Sequence, residues 1–515
     1  MTDRPARTGR SLHAGLLLIA LAVACATAKH QATLPTRGKV ETFTTGGGGQ
    51  LGIYSASGGI DRENPFFKPL GPNGTSCDNC HFTEDAMGLS AVHARSLFDS
   101  SGGKHPLFRP EAANNPKVAA TLGDDATIAQ RRDAYGLLLN KGDVLVRIPL
   151  RTTADANGPT EFTLVGVRDQ SIPGLKKVHV ARVGDVQDPQ EYLAYTGGEL
   201  WVHRRPVPAV AASFITATPW DGWETPSPSP TSPRMRVALT RVNRNMLVRR
   251  EAPPPAEFDT NRLDMIADEL TAFQYDLFAA QAADPAAGAL DEDGGRGGPS
   301  WLSVQEFYFG INDAFGDNPA HVAFTPEVFD TYERWAGSKT PARAAIARGE
   351  TLFNSRRLTI GEVGGLNDAN IAFSDGKTTW RGPSELTGTC GTCHDARNIG
   401  VHSTRLLMNI GVSDAEPAAF GTARVSDLPT FYLRQVETGE TIATTDPGRA
   451  LRTGKWSQIG QFKVPGLRGL AARAPYFHNG MASTLDDVVD YYDERFRAGF
   501  TPQEKADLVA FLRSL

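Results

Sequence analysis

Cysteine is scarce in this 515-residue chain: there are five. Cys25 falls in the amino-terminal segment, and the other four fall in two pentapeptides, Cys77-Asp78-Asn79-Cys80-His81 and Cys390-Gly391-Thr392-Cys393-His394. No cysteine is left over to staple the rest, which argues against a disulfide framework even in an oxidising compartment. Positive charge is not in excess either, with 53 Lys and Arg against 58 Asp and Glu, a net charge of −5 and a pI near 6.2. The chain offers no basic stripe, so nucleic acid is disfavoured as a partner. Past the amino terminus no segment reaches 18 unbroken apolar residues, which speaks against a transmembrane segment. What remains is ordinary globular composition, 40% hydrophobic and 22% charged, in a length that allows two to four domains.

The amino terminus has its own pattern. Arg4, Arg7 and Arg10 precede the apolar run "LLLIALAVACATA", which ends in small residues at Ala26-Thr27-Ala28. A positive segment, a short apolar core and an Ala-x-Ala ending predict a secretory signal over residues 1–28 and an exported, periplasmic protein. Cleavage after Ala24 instead would leave Cys25 first and permit a lipid anchor.

The spacing of the remaining cysteines carries the chemistry. With cysteine at ~1% and histidine at ~2% of residues, one chance Cys-x-x-Cys-His in this length is on the order of one in a thousand, and two are far rarer. The two thiols of such a motif add to the two vinyl groups of a haem, and the adjacent histidine places its imidazole under the iron. A structural zinc site needs four ligands, and each cluster offers three. A thioredoxin-like dithiol requires no histidine. The motifs therefore predict two covalently attached haem c groups, held by Cys77, Cys80 and His81 and by Cys390, Cys393 and His394.

The residues between the motifs are far more than a compact cytochrome domain needs. The stretch "GDVLVRIPLRTTADANGPTEFTLVGV" (142–167) alternates apolar and polar residues around Asn157-Gly158, as a β-hairpin would. "TPSPSPTSP" (225–233) is a proline-rich loop. From Arg262, Leu263, Ile266, Leu270, Phe273 and Leu277 recur at helical spacing. Residues 284–300, rich in glycine and acid, read as a linker or long loop. In the last third, "PARAAIARGETLFN" reads as a helix opening on Pro341 with Ile346, Gly349, Leu352 and Phe353 on one face. "STLDDVVDYYDERF" carries a capping-box pattern at Ser483 and Asp486, and its helical spacing turns Tyr492 inward and Tyr491 about 100° away. A last helix starts at Thr501-Pro502 and buries Leu508, Val509 and Leu512. The expected fold is mainly α: a cytochrome c-like domain over 45–283 enlarged by a hairpin-containing insertion, a linker over 284–300, and a second cytochrome c-like domain over 301–515.

With "CGTCH", "FKVPGLRGLAARAPYFHNG", "STLDDVVDYY" and Pro219-Trp220-Asp221-Gly222 in view, the chain resembles the bacterial di-haem cytochrome c peroxidases and their MauG-type relatives. "LLLNKGDVLVRIPL", "LWVHRRPVP" and "FYFGIND" resemble a longer branch with an enlarged N-terminal domain. The resemblance covers about residues 60 to 515 and implies that hydrogen peroxide or dioxygen reacts at the first haem while the second stores or relays the electron. It implies a small electron-donor protein, a cytochrome or cupredoxin, or an oxidisable partner. Tyr492 stands where this family supplies methionine or tyrosine to the second iron, with Met408 and Met481 as thioether rivals. Trp220 corresponds to the tryptophan between the haems, His478 to a turn near the second haem, and the carbonyls of Val464 and Gly466 to a calcium site.

One element of the family pattern is missing. Peroxide cleavage uses an acid/base group, a Glu or His after Trp-Asp-Gly. Here "RVALTRVNRNMLVRREAPP" offers Arg241, Arg244, Arg249 and Arg250, with Glu251 its only carboxylate. Arginine polarises a peroxide but, with a pKa above about 12, shuttles protons poorly. Arg249 and Glu251 are the candidate catalytic residues beside Trp220. His93, His105 or Met87 could cap the first iron. Rival readings are a non-enzymatic electron-transfer cytochrome and a haem oxygenase acting on an organic substrate.

Overall fold

The computed structural model describes residues 34, 38–46, 48–70, 74–151, 158–224, 234–250, 260–373, 377–417 and 420–515. The expected signal sequence, Cys25, the proline-rich stretch 225–233 and Glu251 lie outside the described residues. Among those described, no helix is long and apolar enough to cross a membrane.

The fold is not mainly α. Helix accounts for 32% and strand for 20%, the latter spread over several sheets. The largest sheet runs Thr441–Thr444, Thr430–Gln435, Phe162–Arg168, Gly184–Gln187, Lys177–Val180, so strands from both halves of the chain share it. Its apolar face packs Leu164, Val167, Phe431 and Leu433 over Tyr192 and Trp201.

The expected hairpin over 142–167 is also corrected. Its two strands exist, as Val144–Pro149 and Phe162–Arg168, but they do not pair with each other. Val144–Pro149 pairs antiparallel with Glu199–Arg204, and Phe162–Arg168 with Thr430–Gln435. Period-2 alternation specifies a half-buried strand, and any partner that covers its apolar side satisfies it.

The helix read from Arg262 runs over Thr260–Asp276 and stops there; Leu277–Asp284 continues as a strand against Gln50–Ser55. Leu277 and Ala280 are fully buried in that sheet. Ladder pairing and burial override the helix propensity of an alanine-rich segment. Residues 284–300 are packed: Gly288–Ala289 pairs with Leu277–Asp284, and Leu290 is buried beside Tyr332 and Trp335.

The C-terminal helices lie where their periodicity places them. Pro341–Ser355 crosses Pro502–Ser514 closely, and Gly349 is the reason it can: a Cβ there would come within 2.0 Å of the Asp507 carbonyl oxygen. Phe329 meets both Phe353 and Phe511 edge to face beside this crossing, and those two rings tilt against each other. The helix Leu485–Phe496 begins one residue later than expected, with Thr484 as its cap. The Asp487 carboxylate accepts from the N–H groups of both Ser483 and Thr484, which fixes that start.

Candidate functional site

Each pentapeptide is wound into a short turn whose cap comes from within the motif. The Ser76 N–H donates to the Asn79 side chain at 3.1 Å, and the Thr389 N–H to Thr392 Oγ1 at 2.9 Å. The His81 and His394 N–H groups each reach back to the first cysteine's carbonyl at 3.1 Å. This winding gathers two thiols and an imidazole from five consecutive residues, and none of these four cysteines is in a disulfide.

Both imidazoles are then held in the same way. Nδ1 of His81 donates to the Met87 carbonyl at 3.0 Å, and Nδ1 of His394 to the Gly400 carbonyl at 2.6 Å. A carbonyl only accepts, so Nδ1 carries the proton and Nε2 keeps a lone pair for a metal. Burial pushes the His394 pKa down to about 4, keeping it neutral.

Beside the second motif lies a largely apolar cavity, about 1630 Å³ counting its mouth. Cys390, Cys393, His394, Tyr492, Met408, Trp220, His478, Val464 and Gly466 line it. Tyr492 thus faces the second motif. Tyr491 is buried on another flank of the helix, where its hydroxyl donates to the Ile410 carbonyl at 2.8 Å. Of the two methionines, Met408 lines the cavity and Met481 packs in the separate cluster around Tyr491. Burial, with the Cys393 thiol next, raises the Tyr492 phenol well above its ordinary range.

Three cations that sequence reading did not single out also line this cavity: Arg205, Lys463 and Arg473. Arg205 donates to the Leu89 carbonyl and Arg473 to the Gly466 carbonyl, and among the described residues Nε of each has no hydrogen-bond partner. Burial, then Arg473, pushes Lys463 down to about 7; burial, then Arg205, pushes Arg473 down to about 10. Cations so desolvated call for anions. A haem, an apolar macrocycle carrying two carboxylates and attached through two thiols, fits this wall of apolar side chains, thiols and unpaired cations. Arg473→Leu is expected to lower the second haem's midpoint potential by tens of millivolts, because a nearby positive charge favours the reduced iron. Spectroelectrochemical titration reads the shift, and an unmoved potential would place these cations away from the group. The Gly466 carbonyl, one of the two expected to face calcium, accepts from Arg473.

Trp220 forms part of the cavity wall, its Nε1 donating to the Arg205 carbonyl at 2.8 Å and its ring centred 6.3 Å from that of His478. His478 stacks on Phe462 at 3.8 Å, and among the described residues neither of its ring nitrogens has a hydrogen-bond partner. Burial depresses its pKa to about 4. The neighbouring Asp221 explains the Trp-Asp-Gly triplet. Its Oδ2 accepts from Arg204 at 2.7 Å and Arg452 at 3.0 Å, while Arg204 grips Asp446 in bidentate fashion at 2.6 and 2.9 Å.

Around the first motif, Met87 holds His81 through its carbonyl and buries its side chain with Leu51, Ile53 and Phe66. His93 and His105 both lie against Phe82, with ring centres 4.2 and 6.3 Å away. Asp85 grips Nδ1 of His93 at 3.1 Å; burial lowers the His93 pKa, but this carboxylate outweighs it and the net shift is upward. His105 is shifted down by burial and by His93. In the helix Arg234–Arg250, Arg241 faces Glu224 at 3.5 Å and Arg244 pairs with Asp264 at 2.6 Å. Both belong to a solvated face. The side chain of Arg249 and the whole of Glu251 lie outside the described residues.

No protein-family profile matches the chain. The cytochrome-c peroxidase IdrP1 of Denitromonas iodatirespirans is 38% identical over 201 residues, 36% of this chain and 44% of that protein. IdrP2 of the same organism is 33% identical over 135 residues, 25% of this chain and 36% of that protein. The cytochrome c peroxidase Ccp of Escherichia coli (strain K12) is 45% identical over 76 residues, 14% of this chain and 16% of that protein. These matches thus span less than half the length of each relative. Among solved structures, a MauG-like protein associated with microbial copper homeostasis overlaps 62% of this chain and 74% of its own at 17% identity. The TM-score of that overlap, 0.29, is too low to speak to the fold.

Proposed function

From its homology to the bacterial di-haem cytochrome c peroxidases, we propose that this chain is an exported di-haem c-type oxidoreductase. It reduces hydrogen peroxide, or uses it to oxidise a partner, with electrons drawn from a small cytochrome or cupredoxin. The observation that carries the reading is the matched pair of Cys-x-x-Cys-His turns, each with its imidazole Nδ1 tied to a carbonyl six residues on. Bound haem supplies the one-electron and peroxide chemistry. The chain's own residues do the rest. His81 and His394 present Nε2 to the irons, and Tyr492 faces the second site as its further ligand. The apolar cavity wall excludes water, and Trp220 lies in that wall as the relay between the sites.

Electron paramagnetic resonance of the oxidised protein, repeated after adding hydrogen peroxide, tests this directly. A high-spin signal that peroxide bleaches is the expected result. Trp220→Phe is expected to slow interhaem electron transfer on the order of tenfold, and an unchanged rate would remove Trp220 from the path. A second reading, an electron carrier with both irons six-coordinate, is favoured by one feature: the helix Arg234–Arg250 contains no Glu, Asp or His. Two low-spin signals indifferent to peroxide, persisting after half-reduction, would establish that alternative.

A further inference from the structure

Behind the second motif, away from the cavity, Asp313, Asp395 and His402 meet in the interior, 2%, 0% and 1% exposed. One potential ligand atom from each lies within 4.8 Å of the others. We propose that these three residues bind a first-row divalent cation of the zinc or manganese kind.

The carboxylates are already aimed. Asp395 accepts from the Ser403 N–H at 2.6 Å and the Ser403 hydroxyl at 3.1 Å. Asp313 Oδ2 accepts from the N–H groups of Phe315 and Asp317 at 2.9 and 2.8 Å, which turns Oδ1 toward Nε2 of His402 at 4.0 Å. Asp395 Oδ2 stands 3.1 Å from Nδ1 of His402. His402 therefore faces a carboxylate at each ring nitrogen, Asp395 at Nδ1 and Asp313 at Nε2. A fully buried imidazole flanked by two buried carboxylates is costly unless a proton or a cation balances them.

Charge points the same way. Among the described residues no lysine or arginine pairs with Asp313 or Asp395. Two buried carboxylates facing one imidazole leave negative charge uncompensated even when that ring is protonated. A divalent cation with a neutral imidazole leaves none. The imidazole selects against calcium and magnesium, which take oxygen ligands, and in favour of zinc, while the two carboxylates leave manganese as its rival. Tetrahedral zinc ligation would draw the three atoms to roughly 3.4 Å apart, within reach of side-chain rotation. The Asn312 amide already donates to the Asp395 carbonyl at 3.0 Å, and the Gly310 N–H to the Ser403 carbonyl at 2.9 Å. The cation therefore clamps two loops in contact and braces the turn that carries His394. None of this depends on peroxidase activity.

The test uses the purified haem-loaded protein, stripped with a chelator and titrated with Zn(II), in parallel with Mn(II). About one equivalent beyond the two irons is expected, with zinc X-ray absorption reporting one imidazole among oxygen ligands. Asp313→Asn keeps an oxygen acceptor for the two loop N–H groups, so the fold survives, and it is expected to weaken binding at least about tenfold. Wild-type protein that binds neither metal, or Asp313→Asn binding equally well, would overturn the site. So would a zinc spectrum without imidazole, which needs no variant at all.

Discussion

Asp221→Ala is expected to destabilise the protein by about 3–5 kcal/mol, the typical result of removing one partner from a buried ion network. Asp221 is fully buried between Arg204 and Arg452, and Arg204 is shared with Asp446. Two aspartates and two arginines balance; without Asp221 one guanidinium charge is stranded in the interior. Burial alone would raise the Asp221 pKa, but Arg204 and Arg452 outweigh it and hold the value below its ordinary 3.8. A depressed carboxyl stabilises the fold fully above its unfolded pKa and loses that contribution as pH falls through the folded value. Denaturant melts at pH 7 and pH 3 check both points: the variant's deficit is large at neutral pH and shrinks in acid. An unchanged melt at pH 7 would show that the network is not structural. Because Asp221 directly follows Trp220, the same variant should also disturb the wall in which the proposed relay sits.

Tyr492→Phe is expected to change the second haem's absorption and resonance spectra and to raise its potential by on the order of 0.1 V, within the range that axial ligands command. A phenolate favours ferric iron, and its loss favours the ferrous state. The cavity by itself keeps the phenol neutral, since burial pushes its pKa up. Only a cation bonded to the oxygen offsets that preference. The first haem's signals should not move. If the second haem's spectrum is also unchanged, ligation passes to Met408, the methionine in the same cavity, and Met408→Leu then decides.

How legible these features were depended on how far apart in sequence their parts lie. The Cys-x-x-Cys-His turns, the helix opening on Pro341 and the cap at Thr501 are each complete within a few residues, so a short window contains every group involved. Tyr492 could be aimed by helical spacing alone, though the same spacing gave no hint that Tyr491 would be buried on a different flank. The strand Phe162–Arg168 was visible as alternation, but its partner Thr430–Gln435 lies in the other half of the chain. Nothing local in the sequence marks Arg205, Lys463 and Arg473 for burial.

The sequence by itself determined the local chemistry of this protein: two paired-thiol turns each followed by a histidine, the capped helices, and the face that Tyr492 presents. Only the tertiary structure decided which strands pair, that Leu277–Asp284 is a strand, and that Asp221, Arg204, Asp446 and Arg452 form one network. It also brought Asp313 beside Asp395 and His402. The physical reason is one of range. Turn and helix hydrogen bonds close within about four residues, whereas sheet ladders, buried ion networks and metal clusters draw their free energy from groups distant in the chain that burial makes adjacent.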